Sequence, residues 1–243
     1  MKIMTFSSRC GKEILRDPIN LAFGLGFPVV LLLMLNAMQS NIPVDMFRIE
    51  TLAPGVSVFG LSFLTLFSAT VVAKDRESSL IKRLYTAPMR PYGFIVGYAL
   101  PIVIMSIGQS AVTYIVAIIL GLPVSINILF AIAMCAPISL FYIATGLLCG
   151  SIFGVKQVGG ICGALFTNLS AWLSGIWFDL SLLGENFEKV AKLLPFVHAV
   201  KVEQMLIKGD INGVLTHIFV VLIYAVAIAI CAVIAFLKQM KRE

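Results

Sequence analysis

Few side chains in this sequence could carry out chemistry, and none of them forms a catalytic motif. The two histidines, His198 and His217, are too far apart for the His-Glu-x-x-His pattern of an intramembrane metalloprotease. A serine or cysteine hydrolase needs a histidine beside its nucleophile, and no such pair is indicated. The sequence also lacks the Gly-x-x-x-x-Gly-Lys-Ser/Thr loop that holds nucleotide phosphates. We therefore predict a chain that is not an enzyme and binds no metal or cofactor.

A few polar residues lie inside long apolar stretches: Gln109, Thr113, Thr145 and Asn168. An ion-coupled transporter usually keeps a carboxylate, histidine or lysine at such depth, and Asp179 lies only at the edge of a stretch. A simple proton antiporter is thus disfavoured. Hydrogen bonding between helices accounts for these residues more readily than substrate contact. Gln109 and Asn168 remain candidates for polar residues of a transport pathway.

The segment 74–91 combines charge with helical periodicity. The middle of this segment is predicted to be a helix with its apolar residues along one side, and Pro88 would end that helix. This side consists of Leu80, Ile81, Leu84 and Tyr85. Such a helix can press into a groove on a soluble protein. An equally good interpretation is an interfacial turn whose basic residues meet anionic headgroups.

The elements that must position these residues are membrane helices. The chain has 243 residues, of which 60% are hydrophobic and 12% charged, with a mean hydropathy of +1.01. Soluble domains carry about a quarter charged residues, so this chain is predicted to be an all-α integral membrane protein. A helix needs about 20 apolar residues to cross a bilayer. The apolar stretches give six predicted spans, at 19–38, 52–73, 93–120, 128–150, 158–179 and 211–237.

Basic residues are distributed unevenly between the two ends of these spans. Six spans place both termini on one side, and the segments on that side hold 13 of the 18 Lys and Arg but 5 of the 12 Asp and Glu. Because basic residues concentrate in cytoplasmic loops, both termini are predicted to be cytoplasmic. The net charge of +6 therefore requires no nucleic acid partner.

The first 17 residues contain an amphipathic pattern. Ile3, Phe6, Cys10 and Ile14 are three and four residues apart, which is helical spacing. The pattern suits a helix lying in the interface with its apolar side at the acyl boundary. A juxtamembrane tether explains it about as well.

Several short motifs resemble the signature of ABC-2 type permeases, the membrane subunits of ATP-binding-cassette exporters. They are Arg76-Glu77, Leu84, the run Thr86-Ala87-Pro88-Met89-Arg90-Pro91, and Gly97. Ser79 and Leu80 stand where that family usually has Gly and Thr. Thr86 is also one place earlier than usual. Leu173-Ser174-Gly175 and Leu194-Pro195-Phe196 resemble two further, weaker family motifs.

The resemblance implies a mechanism and a set of site residues. Residues 76–88 would form a coupling helix docked on an ATP-binding subunit, through Arg76, Glu77, Leu80, Arg83, Leu84 and Pro88. Residues 1–17 would form an interfacial helix beside that subunit. Two permease copies, or two sister chains, would join two ATPases that bind ATP and magnesium. Segment 180–210 would form short helices of an outer gate, together with Ser174, Gly175, Leu194 and Pro195.

Alternatives remain open for the cargo and for the class of function. Apolar spans favour export of a hydrophobic or amphipathic molecule such as a drug, antibiotic, peptide or lipid. A polysaccharide or glycolipid exporter would need more aromatic residues than Trp172 and Trp177 supply. A membrane scaffold or immunity protein that transports nothing, and a gradient-driven transporter, are the remaining alternatives.

Overall fold

A computed structural model of the chain describes residues 2–39, 48–78 and 91–240. These residues form eleven α-helices and no strand; short π-helical and 3-10 segments join some of them. We label the helices in chain order: α1 Lys2–Leu15, α2 Pro18–Leu21, α3 Phe27–Gln39, α4 Ile49–Glu77, α5 Pro91–Ile119, α6 Ile126–Ile152, α7 Val155–Val158, α8 Thr167–Ser174, α9 Glu185–Leu193, α10 Pro195–Lys208 and α11 Val214–Met240. The prediction of an all-α membrane protein is confirmed.

Five helical segments in the described residues are long and apolar enough to cross a membrane. They are Ala22–Gln39, Ile49–Glu77, Gly93–Ile119, Ile126–Ile152 and Val214–Lys238. Each matches one predicted span to within four residues at either end. The π-helical turn Ala22–Gly26 joins α2 to α3.

The predicted span 158–179 corresponds to a more polar helical run. α7, the π-helical segment Gly159–Phe166 and α8 follow one another from residue 155 to 174. At about 1.5 Å per residue this run is roughly 30 Å long, but it includes Lys156, Gln157 and Asn168. It ends five residues earlier than predicted because Gly175 adopts a left-handed conformation, with φ 73°.

α4 lies at the centre of the bundle and packs against α3, α5, α6 and α10. Its closest neighbour is α6, where Gly146 and Gly150 face the α4 backbone. A Cβ atom at Gly146 would overlap the Thr65 carbonyl oxygen and the Ser68 hydroxyl. One at Gly150 would lie 2.5 Å from the Ala69 carbonyl oxygen. Small residues spaced by four let membrane helices approach this closely.

α1 is the helix that the amphipathic pattern predicts, but its apolar side faces protein. Phe6, Cys10 and Ile14 are buried, and the Phe6 ring packs edge-on against Phe94 and Tyr98 of α5. Gly97 makes room for this ring, since a Cβ there would lie 2.5 Å from Phe6 Cδ1. The predicted apolar side is therefore used for packing on α5 instead of facing the acyl boundary.

Segment 180–210 folds into a 3-10 turn, α9 and α10. α10 is largely buried against α4, α6 and α11. Phe196 on α10 joins an aromatic cluster with Phe141, Tyr142 and Phe166. α10 thus inserts between longer helices at the end of the bundle away from α1.

Candidate functional site

An ion pair joins α1, α4 and α5 at the end of the bundle that carries α1. Both terminal nitrogens of Arg9 donate to the Asp75 carboxylate at 2.7 Å, and the Tyr98 hydroxyl donates to it at 2.9 Å. Asp75 is 2% exposed. The hydrogen bond to Asp75 raises the pKa of Arg9 above its already high ordinary value. We call Arg9, Asp75 and Tyr98 the α1 joint.

The last turn of α4 is also bound to the link between α6 and α7. The Arg76 guanidinium donates to the Ser151 carbonyl and, at 2.8 Å, to the Phe153 carbonyl. A cationic side chain suits these free carbonyls at a helix C-terminus. The Glu77 carboxylate accepts a 2.8 Å hydrogen bond from the Val155 amide. In this structure both predicted docking residues therefore contact groups of their own chain.

The remaining predicted docking residues, Leu80, Arg83, Leu84 and Pro88, lie outside the described residues. So does most of the predicted coupling helix 76–88, of which the described part continues α4 to Glu77. The docking role of all six residues stays a prediction. What the structure adds is the anchoring of α4 immediately before this segment.

A second polar cluster surrounds Glu203, which is fully buried on α10. The Tyr114 hydroxyl donates to Glu203 Oε2 at 2.6 Å, and the Cys135 thiol donates to Oε1 at 3.4 Å. The cluster continues through Ser110 and Ser57 on α5 and α4, 3.1 Å apart. No cation pairs with Glu203 among the described residues. The middle parts of the described spans contain no acid, and the carboxylate in the bundle interior comes from α10.

The two candidate pathway residues lie in different surroundings. Gln109 is buried, donates to the Ser57 carbonyl at 3.2 Å, and has an unpaired amide oxygen. It fits against α4 because Gly60 has no side chain there. Asn168 is exposed and donates to the Ala164 carbonyl of its own helical run at 2.8 Å. Gln109 alone therefore joins the interior polar cluster.

The candidate gate residues form turns at the opposite end of the bundle from α1. The buried Ser174 hydroxyl donates to the Ala171 carbonyl, and Gly175 ends α8. Leu194 precedes α10, and Pro195 is its first residue. Ser174 and Gly175 line a cavity of about 530 Å³, whose lining does not include Leu194 or Pro195. Their role as a gate stays a prediction.

His198 and His217 meet, although they are 19 residues apart. Their Nδ1 atoms are 2.6 Å apart across α10 and α11, and His198 Nε2 donates to the Lys192 carbonyl at 2.8 Å. No group of three metal-ligating side chains occurs within the described part of the chain. The pair therefore fastens α10 to α11.

Comparison with known proteins places these features in a family. A family model described as ABC-2 type transporter matches residues 1–206, which include the α1 joint and the Glu203 cluster. The chain belongs to the ABC-2 type transporter family. No curated protein matches the chain in sequence. As an ABC-2 chain it is a multi-pass membrane protein, the permease of an ABC transporter, which associates with an ABC ATP-binding subunit.

Sequence reasoning missed the most constrained polar residues of this permease. Arg9 and Asp75 are 66 residues apart, and Tyr114 and Glu203 are 89 apart, so no local pattern connects them. The pair Gly146 and Gly150 could have been found, because its spacing matches a known helix-packing motif.

Glu203 should make the stability of this ABC-2 permease depend on pH. Burial raises the pKa of Glu203 from 4.5 to about 8. Because the folded value is the higher one, the stabilisation is complete below pH 4.5 and is lost as pH rises through about 8. We expect the free energy of unfolding to fall by up to about 1.4 kcal/mol per pH unit between about pH 4.5 and 8, and to level off above pH 8, where Glu203 is ionised in both the folded and the unfolded state. Thermal unfolding between about pH 5 and about pH 9 measures both the slope and the plateau above pH 8.

Glu203→Gln should remove the slope, since glutamine keeps the shape of the side chain without the ionisable proton. Glu185→Gln is the matched control, because Glu185 is exposed and, among the residues that the structure describes, pairs only with Lys189 on the same helix. If the slope of the Glu203→Gln variant equals that of the control, a different group causes it.

Proposed function

We propose that this permease forms the membrane pathway of an ATP-driven exporter for hydrophobic or amphipathic cargo, such as a drug, antibiotic, peptide or lipid-like molecule. Two permease chains would work with two ATP-binding subunits, which would bind ATP and magnesium. Both termini would lie in the cytoplasm below the cell membrane, as the excess of basic residues favours. The chain itself would not be an enzyme.

The observation that carries this proposal is the anchoring of α4 directly before segment 79–90. Asp75 binds α1 and α5, while Arg76 and Glu77 bind the link from α6 to α7. A displacement of the segment that follows Glu77 would therefore be passed to four elements together. Transmission of ATPase closure as a rigid-body movement requires such a joint.

The cargo class is supported by the composition of the spans. Within the described parts of the candidate spans, charged side chains occur only toward the helix ends, as at Glu50, Lys74 to Glu77, and Lys238. The interior contributes hydroxyl, amide and thiol groups beside the buried Glu203. The absence of charged side chains from the middle of the described spans favours an apolar or amphipathic molecule over a small inorganic ion.

Leu84→Ala tests the coupling to the ATPase. If Leu84 packs in a groove of the ATP-binding subunit, removing its side chain should cost about 2 kcal/mol of docking, or roughly 30-fold in affinity. We expect less ATPase to co-purify and ATP-driven cargo uptake into inverted vesicles to fall several-fold, with an unchanged amount of permease. Leu182→Ala, at an exposed site at the other end of the bundle, is the control.

Full co-purification and export in the Leu84→Ala variant would count against docking through this segment. Transport that collapses with an uncoupler while ATP stays high would instead favour a gradient-driven transporter. Absence of any associated ATPase, with no transport, would favour a scaffold or immunity protein.

A further inference from the structure

A cleft lined by basic residues opens beside α1. It has a volume of about 1040 Å³ and lies between α1, the start of α2 and the end of α4. Four cations line it with two acids: Arg9, Lys12, Arg16 and Lys74 with Glu13 and Asp17. We call this the basic cleft. Its lining carries a net positive charge, which favours an anionic occupant.

Two of the four cations are already paired. Arg9 is held by Asp75 and Glu13, and Lys74 lies 3.7 Å from the Asp17 carboxylate. Lys12 and Arg16 are exposed and have no carboxylate partner in the described part of the chain. One helical turn separates them, so both can face one ligand. They are the cations that an anion could bind.

An apolar groove adjoins the basic cleft. It has a volume of about 540 Å³ and runs between α1 and α5, past Leu100, Ile104 and Gly108. Met4, Ser8 and Lys12 line both cavities, so the exposed cation Lys12 lies at their junction. Leu100 and Ile104 are exposed side chains of a candidate span, which places the groove beside the lipid chains.

We propose that the basic cleft and the apolar groove together bind one anionic phospholipid. Its phosphate lies at Lys12 and Arg16, and one acyl chain lies along Leu100, Ile104 and Gly108. Basic pockets beside membrane helices bind anionic headgroups, and a buried acyl chain adds apolar contact. A soluble partner could fill the cleft but could not enter a groove on a membrane span. This site goes beyond the proposed function and does not depend on it.

Lipid retention by the purified full-length chain tests the site. The chain in mild detergent is titrated with phosphatidylglycerol or phosphatidylcholine, and native mass spectrometry counts the bound lipids. We expect tighter binding of phosphatidylglycerol to the wild-type chain. The double variant Lys12→Gln/Arg16→Gln should weaken phosphatidylglycerol binding about 30-fold, since each cation contributes roughly fivefold. Phosphatidylcholine binding should change little.

The control for charge is Lys189→Gln/Lys208→Gln, which removes two cations at the other end of the bundle. A second pair of variants tests the groove. A Cβ at Gly108 meets open space, so the side chain of Gly108→Leu should fill the apolar groove. The variant should therefore weaken the binding of both lipids. The control is Gly26→Leu, because Gly26 has equally open surroundings but does not line the groove. This variant should leave the binding of both lipids unchanged.

Three results would overturn the proposal. The first is equal affinity of the wild-type chain for the two lipids. The second is unchanged phosphatidylglycerol binding in the Lys12→Gln/Arg16→Gln variant. The third is loss of ATPase co-purification in that variant while its lipid binding persists, which would assign the basic cleft to the partner protein.

Discussion

Gly146→Ala is expected to prevent the close packing of α4 and α6 and to leave little folded protein. The added Cβ would overlap the Thr65 carbonyl and the Ser68 hydroxyl. α4 cannot move aside freely, because α3, α5 and α10 pack on its other faces. Overpacking costs about 1–3 kcal/mol in well-packed cores, and a clash with backbone belongs at the upper end. Thermal unfolding and the monodisperse fraction in gel filtration measure the effect.

Gly108→Ala separates this clash from any general effect of removing a glycine. Gly108 also lies within a long helix, but a Cβ there meets nothing within 4 Å. Alanine is the better helix former by about 1 kcal/mol, so this variant should be unchanged or more stable. The two substitutions therefore differ in the sign of their expected effect. A Gly146→Ala protein as stable as Gly108→Ala would show that α4 and α6 are not in such close contact.

Asp75→Ala should release α1 from the bundle. Arg9 would lose its buried carboxylate partner and Tyr98 its acceptor. Breaking a buried ion pair costs about 3–5 kcal/mol, and the partial exposure of Arg9 places this loss near 3 kcal/mol. We expect a lower unfolding temperature and rapid tryptic cleavage within α1. Export should fall with it, because α1 and α4 would no longer move together.

Glu13→Gln provides the matched loss of a carboxylate. Glu13 pairs with the same Arg9 side chain but is partly exposed and lies on the same helix four residues away. Such pairs contribute about 0.3–0.5 kcal/mol, so this variant should resemble the wild type. Equal tryptic protection of α1 in Asp75→Ala and Glu13→Gln would contradict the assigned role of the α1 joint.

Together these variants distinguish two contributions to the architecture. Gly146 sets how closely two helices approach, which depends on volume alone. Asp75 sets where α1 attaches, which depends on charge and hydrogen bonding. Asp75 lies on α4 and Gly146 packs against it, so both contributions act at α4.

The place and length of the long helices could be predicted from the sequence. Whether a segment enters lipid depends on composition summed over about 20 residues, and single contacts hardly affect this sum. Five predicted spans therefore match the structure closely. The run 155–174 matches less well because its polar residues and Gly175 weaken the same local signal.

The sequence alone determined that this protein is helical, that its apolar segments lie in the membrane and that its motifs resemble those of ABC-2 permeases. The tertiary structure decided which side chains meet: Arg9 with Asp75, Tyr114 with Glu203, and Gly146 with the α4 backbone. It also decided that the apolar side of α1 faces α5. The physical reason is that helix periodicity fixes which residues share a face, whereas the neighbour of that face depends on packing between segments far apart in the chain.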